Sequence, residues 1–408
     1  MFFKRGTRSV ATFAAVFLMA GVLLSGCGDK GKEAQKPADA PAAPAAPKVV
    51  KIGFIGPLTG SASSQGTGAR NAFELAVRQA NESGKLPFKI ETIILDDAST
   101  PGTGASAATK IVSDPAVVAA IGHWNSGVAE ATIPIFKQAK TPFIIWGAIS
   151  PTLTTKENYP TITRVVPTSV QENAPFAQFL VKQAGLKKWA IISDTSVYGK
   201  NNTEAWKSQA TANGGEILSV DEIQVGQTDF RAILTKVKNL KPEAVYFGGV
   251  VTEGALVRQQ MTELGMNVPL AGISGIMDDK FIEVARKENA EGTVASKSGK
   301  PIEKLPGGAE FAKAYNAASF KEPSGPYGPF SYDATNIIVN ALKTVGADKA
   351  KLIDAIAKVE HQGVVGKTTF SDNGQTTNSV VTVMVVQDGK WMPWEDSEYA
   401  SGKRKLTK

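Results

Sequence analysis

The sequence predicts an α/β fold with two doubly wound, Rossmann-like lobes, and three observations support this prediction. A chain of 408 residues is longer than one ordinary core requires and fits two domains. From residue 49 onward, apolar runs of strand length alternate with segments of helical spacing, which indicates parallel strands covered by helices. The alternation occurs in two successive rounds, so each round predicts one lobe with right-handed crossovers.

The first round covers about residues 49–166. Its apolar, strand-like runs are 49–55, 88–95, 117–121 and 142–146, and its segments of helical spacing are 68–81, 104–112 and 129–137. These strands are apolar almost throughout, as expected for strands that are buried on both faces of a parallel sheet.

The second round covers about residues 167–296, and a mainly helical part follows it. The predicted helices of the second round are 170–184, 198–213, 230–240 and 254–264, and its strands are 189–193, 217–221 and 244–247. The helices after it are 309–319, 331–345 and 349–359, before a β-rich stretch at 379–387. This last part is too small for a third core, so we expect it to return to both lobes and to form a hinge with several crossings.

The net charge of +7 does not indicate a nucleic-acid partner, because the excess charge lies at the two ends of the chain. The cations responsible are Lys4, Arg5, Arg8, Lys403, Arg404, Lys405 and Lys408. Without them the rest of the chain carries no net charge, so a basic groove for phosphates is not expected. Two histidines and a single cysteine predict neither a clustered metal site nor an internal disulfide.

The first 48 residues have the pattern of a secretory signal followed by a tether. Three cations precede an apolar run at 10–24, which is too short for a spanning helix and predicts a signal peptide at 1–26. The ending LLSGC at 23–27 resembles a bacterial lipobox, which implies cleavage before Cys27 and lipid attachment to its sulfur. The alternative is an unmodified thiol. Residues 28–48 are rich in Ala and Pro and predict a flexible linker, so we expect the body outside the cytoplasmic membrane.

The stretch GHWNSG at 122–127 predicts a ligand site. It lies between a predicted strand and a predicted helix, where free backbone N–H groups and the positive end of the helix dipole favour an anionic group. The hydroxyl of Ser126 adds a donor at the same place. A plain N-cap role for Ser126, worth about 1 kcal/mol, is the alternative.

Enzyme signatures are missing from the sequence. It contains no GxSxG, GxxxxGK[ST] or HExxH motif and no GxGxxG after the first strand, so we expect no catalytic residues and no cofactor. The pair Asp96–Asp97 fits a strand-end or helix-capping role better than acid/base work or metal binding. We expect His123 to be a hydrogen-bonded structural histidine, because no nucleophile motif accompanies it.

Eight motifs in order resemble the leucine/isoleucine/valine-binding family of extracytoplasmic solute receptors. They are IGFIGPLTG (52–60), RNAFELAV (70–77), LDDAST (95–100), IGHWNSG (121–127), SPTLT (150–154), YGKN (198–201), QTDFRAILTKVK (227–238) and AVYFGGVVTEGA (244–255). The resemblance covers about residues 49–390 and implies a type I periplasmic binding protein that serves an ABC importer. It implies two lobes joined by three crossovers that close on a ligand by hinge motion.

The resemblance also implies lobe boundaries and site residues. One lobe comprises 49–166 plus 297–376, the other 167–296 plus 377–398, and a basic tail follows at 399–408. The residues matched to ligand positions are Ser126 for the α-carboxylate, Gly147 through its backbone, Tyr198 in the wall of the second lobe, Glu253 for the ammonium group and Tyr332 as an aromatic of the third segment. From the residues alone, Glu253 also fits a helix N-terminus that it stabilises electrostatically.

Two positions depart from the family pattern. Ile149 stands where a threonine hydroxyl is usual, and Gln65 stands where an aromatic is usual. Trp124 and Trp146 flank predicted cleft turns and either replace the missing wall or belong to the core. These departures place simple branched-chain specificity in question.

The expected function is therefore ligand capture without chemistry. We expect a monomeric, lipid-anchored receptor in the periplasm or on the outer face of the membrane, which delivers an amino acid or related carboxylate to an ABC permease. An amide, urea-like, γ-amino or aromatic carboxylate ligand is the alternative within the same fold. A ligand-sensing module for a membrane signalling partner is an alternative from a different class.

Overall fold

The computed structural model describes residues 48–406, with side chains from Val49 onward. The predicted signal peptide, Cys27 and the linker lie outside the described residues, so these expectations stay predictions. Within the described range, no helix combines the length and the apolar character needed to cross a membrane.

The first sheet is parallel throughout and forms the centre of what we call the first lobe. Its strands are β1 (Lys48–Gly56), β2 (Phe88–Asp96), β3 (Val117–Gly122), β4 (Phe143–Ile145) and β5 (Ile162–Arg164), in the spatial order β2-β1-β3-β4-β5. All six residues of β3 are buried, which explains why its sequence shows no polar alternation.

The second sheet forms the centre of the second lobe. Its strands are β6 (Lys188–Asp194), β7 (Glu216–Ile223), β8 (Ala244–Gly248), β9 (Leu270–Gly272), β10 (Val294–Ser298), β13 (Val381–Gln387) and β14 (Lys390–Pro393), in the order β14-β13-β10-β9-β8-β6-β7. The first five are parallel, whereas β13 and β14 add an antiparallel edge. A separate two-stranded hairpin consists of β11 (His361–Gly363) and β12 (Gly366–Thr368).

Helices connect the strands and cover the sheets. They are α1 (Ser63–Glu82), α2 (Pro101–Ser113), α3 (Ser126–Gln138), α4 (Ser169–Ala177), α5 (Val197–Ala212), α6 (Arg231–Asn239), α7 (Val251–Glu263), α8 (Asp279–Ala285), α9 (Lys287–Ala290), α10 (Gly308–Ala317), α11 (Gly328–Val345) and α12 (Lys349–Ala357). The helices of the last third include α11, which packs on α1 of the first lobe.

The chain passes between the two lobes three times: between β5 and α4, between β10 and α10, and between β12 and β13. Arg164 lies at the first of these passages and is fully buried. Its guanidinium donates to Gln375 Oε1 (2.6 Å), to Ser150 O (2.6 Å) and to Ala148 O (3.1 Å). Burial without a carboxylate partner lowers the pKa of Arg164 to about 9, yet the group stays charged at neutral pH. The hydrogen bond between Arg164 and Gln375 connects the first passage to the segment that precedes the third passage.

The elements differ from the sequence predictions in several places, and β10, α8, α9 and the β11–β12 hairpin are among those that were not predicted. The predicted helix at 170–184 is α-helical only to Ala177 and continues as a π-helical turn, Gln178–Gln183, just after the internal Pro175, which has no N–H to donate. Strands β5 and β9 were not predicted, because three residues are too few to show a period. The predicted basic tail is partly fixed on the second lobe, since Arg404 forms ion pairs with Glu291, Asp388 and Glu398.

Candidate functional site

A cavity of about 400 Å³ lies between the two lobes. Its walls come from the loops that follow β1 to β4 in the first lobe and β6 to β9 in the second. These loops lie at the carboxyl ends of the parallel strands, where open α/β sheets bind ligands. The sheet topology therefore explains why loops distant in sequence meet at one site.

The turn GHWNSG contributes the start of α3 to the first-lobe wall. Asn125 is the N-cap residue and forms no side-chain cap, whereas Ser126 is the first helical residue. The plain N-cap interpretation of Ser126 is therefore wrong. The N–H groups of Gly127 and Val128 have no carbonyl within the helix to bond, and both residues line the cavity. Their position gives the wall a local positive potential.

The Ser126 side chain is almost fully buried and oriented by a neighbouring loop. Its Oγ accepts a hydrogen bond from the Ser150 N–H (3.2 Å). Because the hydroxyl accepts from the backbone, its own proton remains available for a ligand oxygen. Ser99, in the loop after β2, adds a second hydroxyl to this wall, and its buried Oγ has no hydrogen-bond partner. Sequence reasoning missed Ser99, although a strand-end position was a usable signal.

Gly147 and Ile149 line the cavity from the loop after β4. A Cβ atom at Gly147 would lie 3.1 Å from Trp124 Cα, so glycine permits the close approach of two cleft turns. Ile149 is buried, and its carbonyl accepts from the Ser169 N–H at 2.8 Å. Ile149 thus contributes apolar surface and links the first-lobe wall to α4.

An aromatic wall closes one side of the cavity. Trp124 and Tyr327 both line it, with ring centroids 6.4 Å apart in an edge-to-face arrangement. Trp146 lies behind them, stacks on Phe54 and is fully buried, so it belongs to the core rather than to the cavity surface. Burial raises the pKa of Tyr327, which keeps its phenol protonated.

Tyr332 does not face the cavity, contrary to the sequence prediction. Its hydroxyl donates to Gln79 Oε1 (2.5 Å), and its ring packs against Phe311 on a different face of the first lobe. Tyr327 takes the predicted role at the N-cap of α11. Five residues along an α-helix turn a side chain by about 140°, so the two tyrosines cannot face the same side.

Gln65 also lies outside the cavity wall. Its Nε2 donates to Asp278 Oδ2 of the second lobe, and the neighbouring Ser64 hydroxyl donates to the same oxygen at 3.2 Å. We call Ser64, Gln65 and Asp278 the interlobe latch. A second contact between the lobes joins Asn201 Nδ2 to Ser150 Oγ (3.1 Å). The sequence prediction failed because the start of α1 faces the second lobe rather than the ligand space.

The second-lobe wall contains Tyr198, Glu253 and Asp194. Tyr198 lies in the first turn of α5, and burial raises the pKa of its phenol, which stays neutral. Glu253 lies in the first turn of α7, and its Oε1 accepts from the Gly226 N–H (2.8 Å). The two sequence interpretations of Glu253, helix terminus and cleft wall, are therefore compatible.

Asp194 is the acidic cavity residue that sequence reasoning missed. It is 1% exposed, ends β6 and lines the cavity. Burial raises its pKa, hydrogen bonds from Ser196 oppose this, and the nearby charge of Glu253 adds to the rise. Asp194 lies at the carboxyl end of its strand, where open α/β sheets bind ligands, and this position was the signal that the sequence offered.

A further buried carboxylate, Glu172 in α4, lies outside the cavity lining. Its Oε2 accepts from the hydroxyls of Ser274 (2.9 Å) and Ser296 (3.4 Å), and its Oε1 accepts from the Ser298 hydroxyl. Burial raises the pKa of Glu172 to about 7 against these hydrogen bonds. The charge of Glu172 in turn contributes to the raised pKa values of Tyr198 and Tyr327.

The histidine of GHWNSG is structural. His123 is fully buried, with Nδ1 2.8 Å from Asp97 Oδ2 and Nε2 3.0 Å from Thr132 Oγ1. Asp97 also accepts from the Ser99 N–H and so holds the turn after β2. These groups have no access to the cavity. Among the described residues, no set of three His, Cys, Asp or Glu side chains is placed to hold a metal ion.

Comparison with known proteins agrees with this geometry. The model of the periplasmic binding protein family matches residues 49–390. The Leu/Ile/Val-binding protein homolog 3 of Brucella melitensis is 29% identical over 349 residues, which cover 83% of this chain and 92% of the homolog.

Two solved structures illustrate the fold. The branched-chain amino acid transporter substrate-binding protein of Streptococcus pneumoniae, in complex with isoleucine, has a TM-score of 0.78 at 24% identity and covers 84% of this chain and 98% of its own. A solute-binding protein of an R. palustris ABC transporter, in complex with benzoate, has a TM-score of 0.76 at 22% identity, with coverages of 85% and 95%. These similar proteins are solute-binding proteins rather than enzymes. The chain therefore belongs to the periplasmic binding protein family, among the type I proteins that include the Leu/Ile/Val-binding proteins.

Proposed function

We propose that this protein captures an amino acid or a related small carboxylate between its lobes and delivers it to an ABC permease. The observation that carries this proposal is the polarity of the cavity between the lobes. Hydrogen-bond donors and a helix N-terminus lie on the first-lobe wall, and carboxylates lie on the second. A zwitterion matches both walls when its carboxylate faces α3 and its ammonium group faces α7.

The carboxylate of the ligand is proposed to bind at the start of α3. Ser126 offers its hydroxyl proton, and Gly127 and Val128 offer backbone N–H groups. The loop after β4 is expected to contact the ligand through the backbone of Gly147. Because the Ile149 side chain is apolar, this loop can offer the ligand only main-chain polar groups.

The other end of the ligand is proposed to meet the second lobe. Glu253 accepts its ammonium group, and Tyr198 and Trp124 enclose its apolar part. Branched-chain amino acids are one ligand class, in keeping with the names of the similar proteins.

Closure is the proposed mechanism, and no bond of the ligand is made or broken. A ligand that contacts both walls stabilises the closed arrangement, and the permease recognises that arrangement. The proposed lobes are 49–166 plus 297–376 and 167–296 plus 377–398. The periplasm is the compartment of this family, and we propose that lipid on Cys27 holds the protein at the membrane.

An aromatic carboxylate is a second candidate ligand. The aromatic surface of Trp124 and Tyr327 favours a flat ring, and the benzoate-bound R. palustris protein shares the fold. In this case the ligand carboxylate would accept hydrogen bonds from the same donors at the start of α3.

A thermal-shift screen of the purified protein tests the proposal. At 100 times its dissociation constant, a ligand raises the free energy of unfolding by about 2.7 kcal/mol, and the melting temperature rises accordingly. Amino acids and aromatic carboxylates are screened separately, and mass spectrometry identifies any small molecule that copurifies. If no member of either class shifts the melting curve and none copurifies, the proposed ligand class is wrong.

A further inference from the structure

Glu172 is a buried carboxylate to which the proposed function gives no role. It lies in the first turn of α4 in the second lobe, and its side chain is fully buried. Within residues 48–406, no lysine, arginine or histidine forms an ion pair with it. Burial of a carboxylate without a counterion is costly, because the protein must replace the water that would solvate the charge. The hydrogen-bond partners of Glu172 therefore decide what it can do.

Two neighbouring segments of the second lobe hold the carboxylate by hydrogen bonds. Ser274, in the loop after β9, donates to Oε2 through its hydroxyl (2.9 Å) and its backbone N–H (3.3 Å). From β10, Ser296 donates to Oε2 (3.4 Å) and Ser298 donates to Oε1. Lys297 lies between these two serines, so its side chain points to the opposite face of the strand. These hydrogen bonds favour the ionised carboxyl group, because it accepts in each of them.

The serines of β10 lie next to the first lobe. Ser298 is the last residue of β10, and the second passage of the chain begins at Gly299. A Cβ atom at Gly299 would lie 3.4 Å from the Phe330 ring, which belongs to α11 of the first lobe. A cavity of about 70 Å³ lies here, lined by Ser298 and Phe330 among others. The first lobe therefore covers the serines beside Glu172, and separation of the lobes would admit water to them.

Ser274 connects Glu172 with the ligand cavity. Gly275, the residue after Ser274, lines the cavity. Burial raises the pKa of Tyr327 on the first-lobe wall, the charge of Glu172 adds to the rise, and the Ser274 side chain opposes it. Burial likewise raises the pKa of Tyr198 on the second-lobe wall, and the charge of Glu172 is among those that add to the rise. Glu172 thus lies near both walls, although it does not line the cavity.

The groups that face Glu172 are neutral near pH 7. They are the hydroxyls of Ser274, Ser296 and Ser298 and the phenols of Tyr198 on α5, Tyr246 on β8 and Tyr327 at the start of α11. Strand β13, which also packs on α4, contains no charged residue. Burial raises the pKa of Glu172 to about 7, and the serine hydrogen bonds oppose this rise without cancelling it. Proton exchange at Glu172 therefore depends on how much water surrounds it.

We propose that Glu172 is a positioning residue for lobe closure, which takes up a proton from solvent as the lobes close and returns it as they open. The inference rests on the proposed function, in which closure holds the ligand. In the closed arrangement the first lobe excludes water from Ser274 and Ser298, which are 5% and 4% exposed, so the charge is least favourable there. The protonated carboxyl group donates to one serine oxygen, whose hydroxyl rotates. Because the proton favours closure, ligand affinity falls as the pH rises through about 7.

Titration calorimetry with leucine and with benzoate tests the proton uptake. The binding enthalpy is measured in phosphate and in Tris, whose ionisation enthalpies differ, and the difference gives the number of protons bound. For the probe that binds, we expect an uptake of about 0.3–0.5 proton at pH 7. We also expect an affinity about threefold to tenfold higher at pH 6 than at pH 8. Proton release, or no uptake, would overturn the proposal.

The variant Glu172→Gln separates positioning from a structural role. The carboxamide has a similar shape and cannot titrate, so we expect the proton uptake to disappear and the affinity to become equal at the two pH values. Glu204→Gln, at an exposed position of α5, is the matched control and should keep the original pH dependence. A Glu172→Gln protein that binds more weakly at every pH but still takes up the proton would show a structural role alone, and would overturn the proposal.

Two further measurements cover the possible failures. If Glu172→Gln does not fold, as judged by its circular dichroism melt, Ser298→Ala takes its place. This variant removes a donor to the ionised carboxylate, so the midpoint of the affinity profile must move to higher pH, and an unmoved midpoint overturns the proposal.

When neither leucine nor benzoate binds, the proposed function fails in these two ligand classes. Small-angle X-ray scattering of the ligand-free protein then decides the role of Glu172. A more compact protein at pH 6 than at pH 8, with no such change in the variant, would support the role. Equal compactness of the unmodified protein at the two pH values would overturn it.

Discussion

The first-lobe wall of the cavity carries neutral donors, whereas the second-lobe wall carries two carboxylates. The donors are backbone N–H groups at the start of α3 and the hydroxyl of Ser126, which is oriented by the loop after β4. The carboxylates are held at one oxygen each by Ser196 and Gly226. Ligand binding at the first wall therefore depends on the placement of backbone groups, whereas binding at the second wall depends on individual side chains. Substitutions should therefore affect the two walls differently.

The largest expected effect is the loss of the support behind the first wall. Arg164→Met keeps much of the apolar volume but leaves Ala148 O without a donor, and it removes the shorter of the two hydrogen bonds that Ser150 O and Gln375 Oε1 each accept. We expect the free energy of unfolding to fall by about 3 kcal/mol or more, measured by urea denaturation. Lys110→Met, at an exposed position of α2, is the control and should change it by about 0.5 kcal/mol or less. A loss no larger than that of the control would show that Arg164 does not support this wall.

The next effect concerns the second wall. Glu253→Gln keeps the acceptor for Gly226 and removes the charge, so we expect ligand affinity to fall by about 1.5–3 kcal/mol with little change in stability. Titration calorimetry with the ligand found in the screen measures it. Glu216→Gln, on the exposed start of β7, is the matched control. Unchanged affinity in Glu253→Gln would remove Glu253 from the site.

A smaller effect is expected for the first-wall side chain. Ser126→Ala removes one hydroxyl while the N–H groups of α3 stay in place, so ligand affinity should fall by about 0.5–1.5 kcal/mol. Calorimetry is again the measurement, and Ser106→Ala on the exposed face of α2 is the control. An affinity loss larger than that of Glu253→Gln would show that the first wall depends on its side chain more than the second wall does.

The smallest effect is expected at the interlobe latch. Gln65→Ala removes the hydrogen bond to Asp278 without touching the cavity, so we expect faster ligand release and an affinity loss of about 1 kcal/mol. Stopped-flow release rates measure it. Gln79→Ala, on the same helix but bonded to Tyr332, is the control and should leave the rate unchanged. If both variants release ligand at the original rate, the latch does not contribute to closure.

Much of the fold followed from the sequence, because buried parallel strands are apolar runs with helical segments between them. The strands β1 to β4 and the helices α5 to α7 are close to the predicted ranges. Strands β5 and β9 were missed since three residues show no period. At the site, Ser126 and Glu253 line the cavity as the family register implied, although their contact with a ligand stays a prediction.

The site could be predicted only in part, because the sequence does not show which way each side chain points. Tyr332 and Tyr327 lie in one short segment, and only the rotation of α11 decides which of them faces the cavity. Gln65 lies in the first turn of α1, and the packing of the lobes turns it towards Asp278. The strand-end position of Asp194 was visible in the sequence, but that it shares a cavity with Glu253 follows only from the pairing of β6 with β8.

The sequence by itself determined the α/β class, the two rounds of strands and helices, and the turn at 122–127 as a helix start able to hold an anion. These features are local, because hydrophobic period and turn composition fix them within a few residues. The tertiary structure decided which strand-end loops meet, which tyrosine lines the cavity and how Asp194 and Glu253 come to share it. Such juxtapositions depend on contacts between residues distant in sequence, and GHWNSG forms one wall of a cavity only because a second lobe lies opposite it.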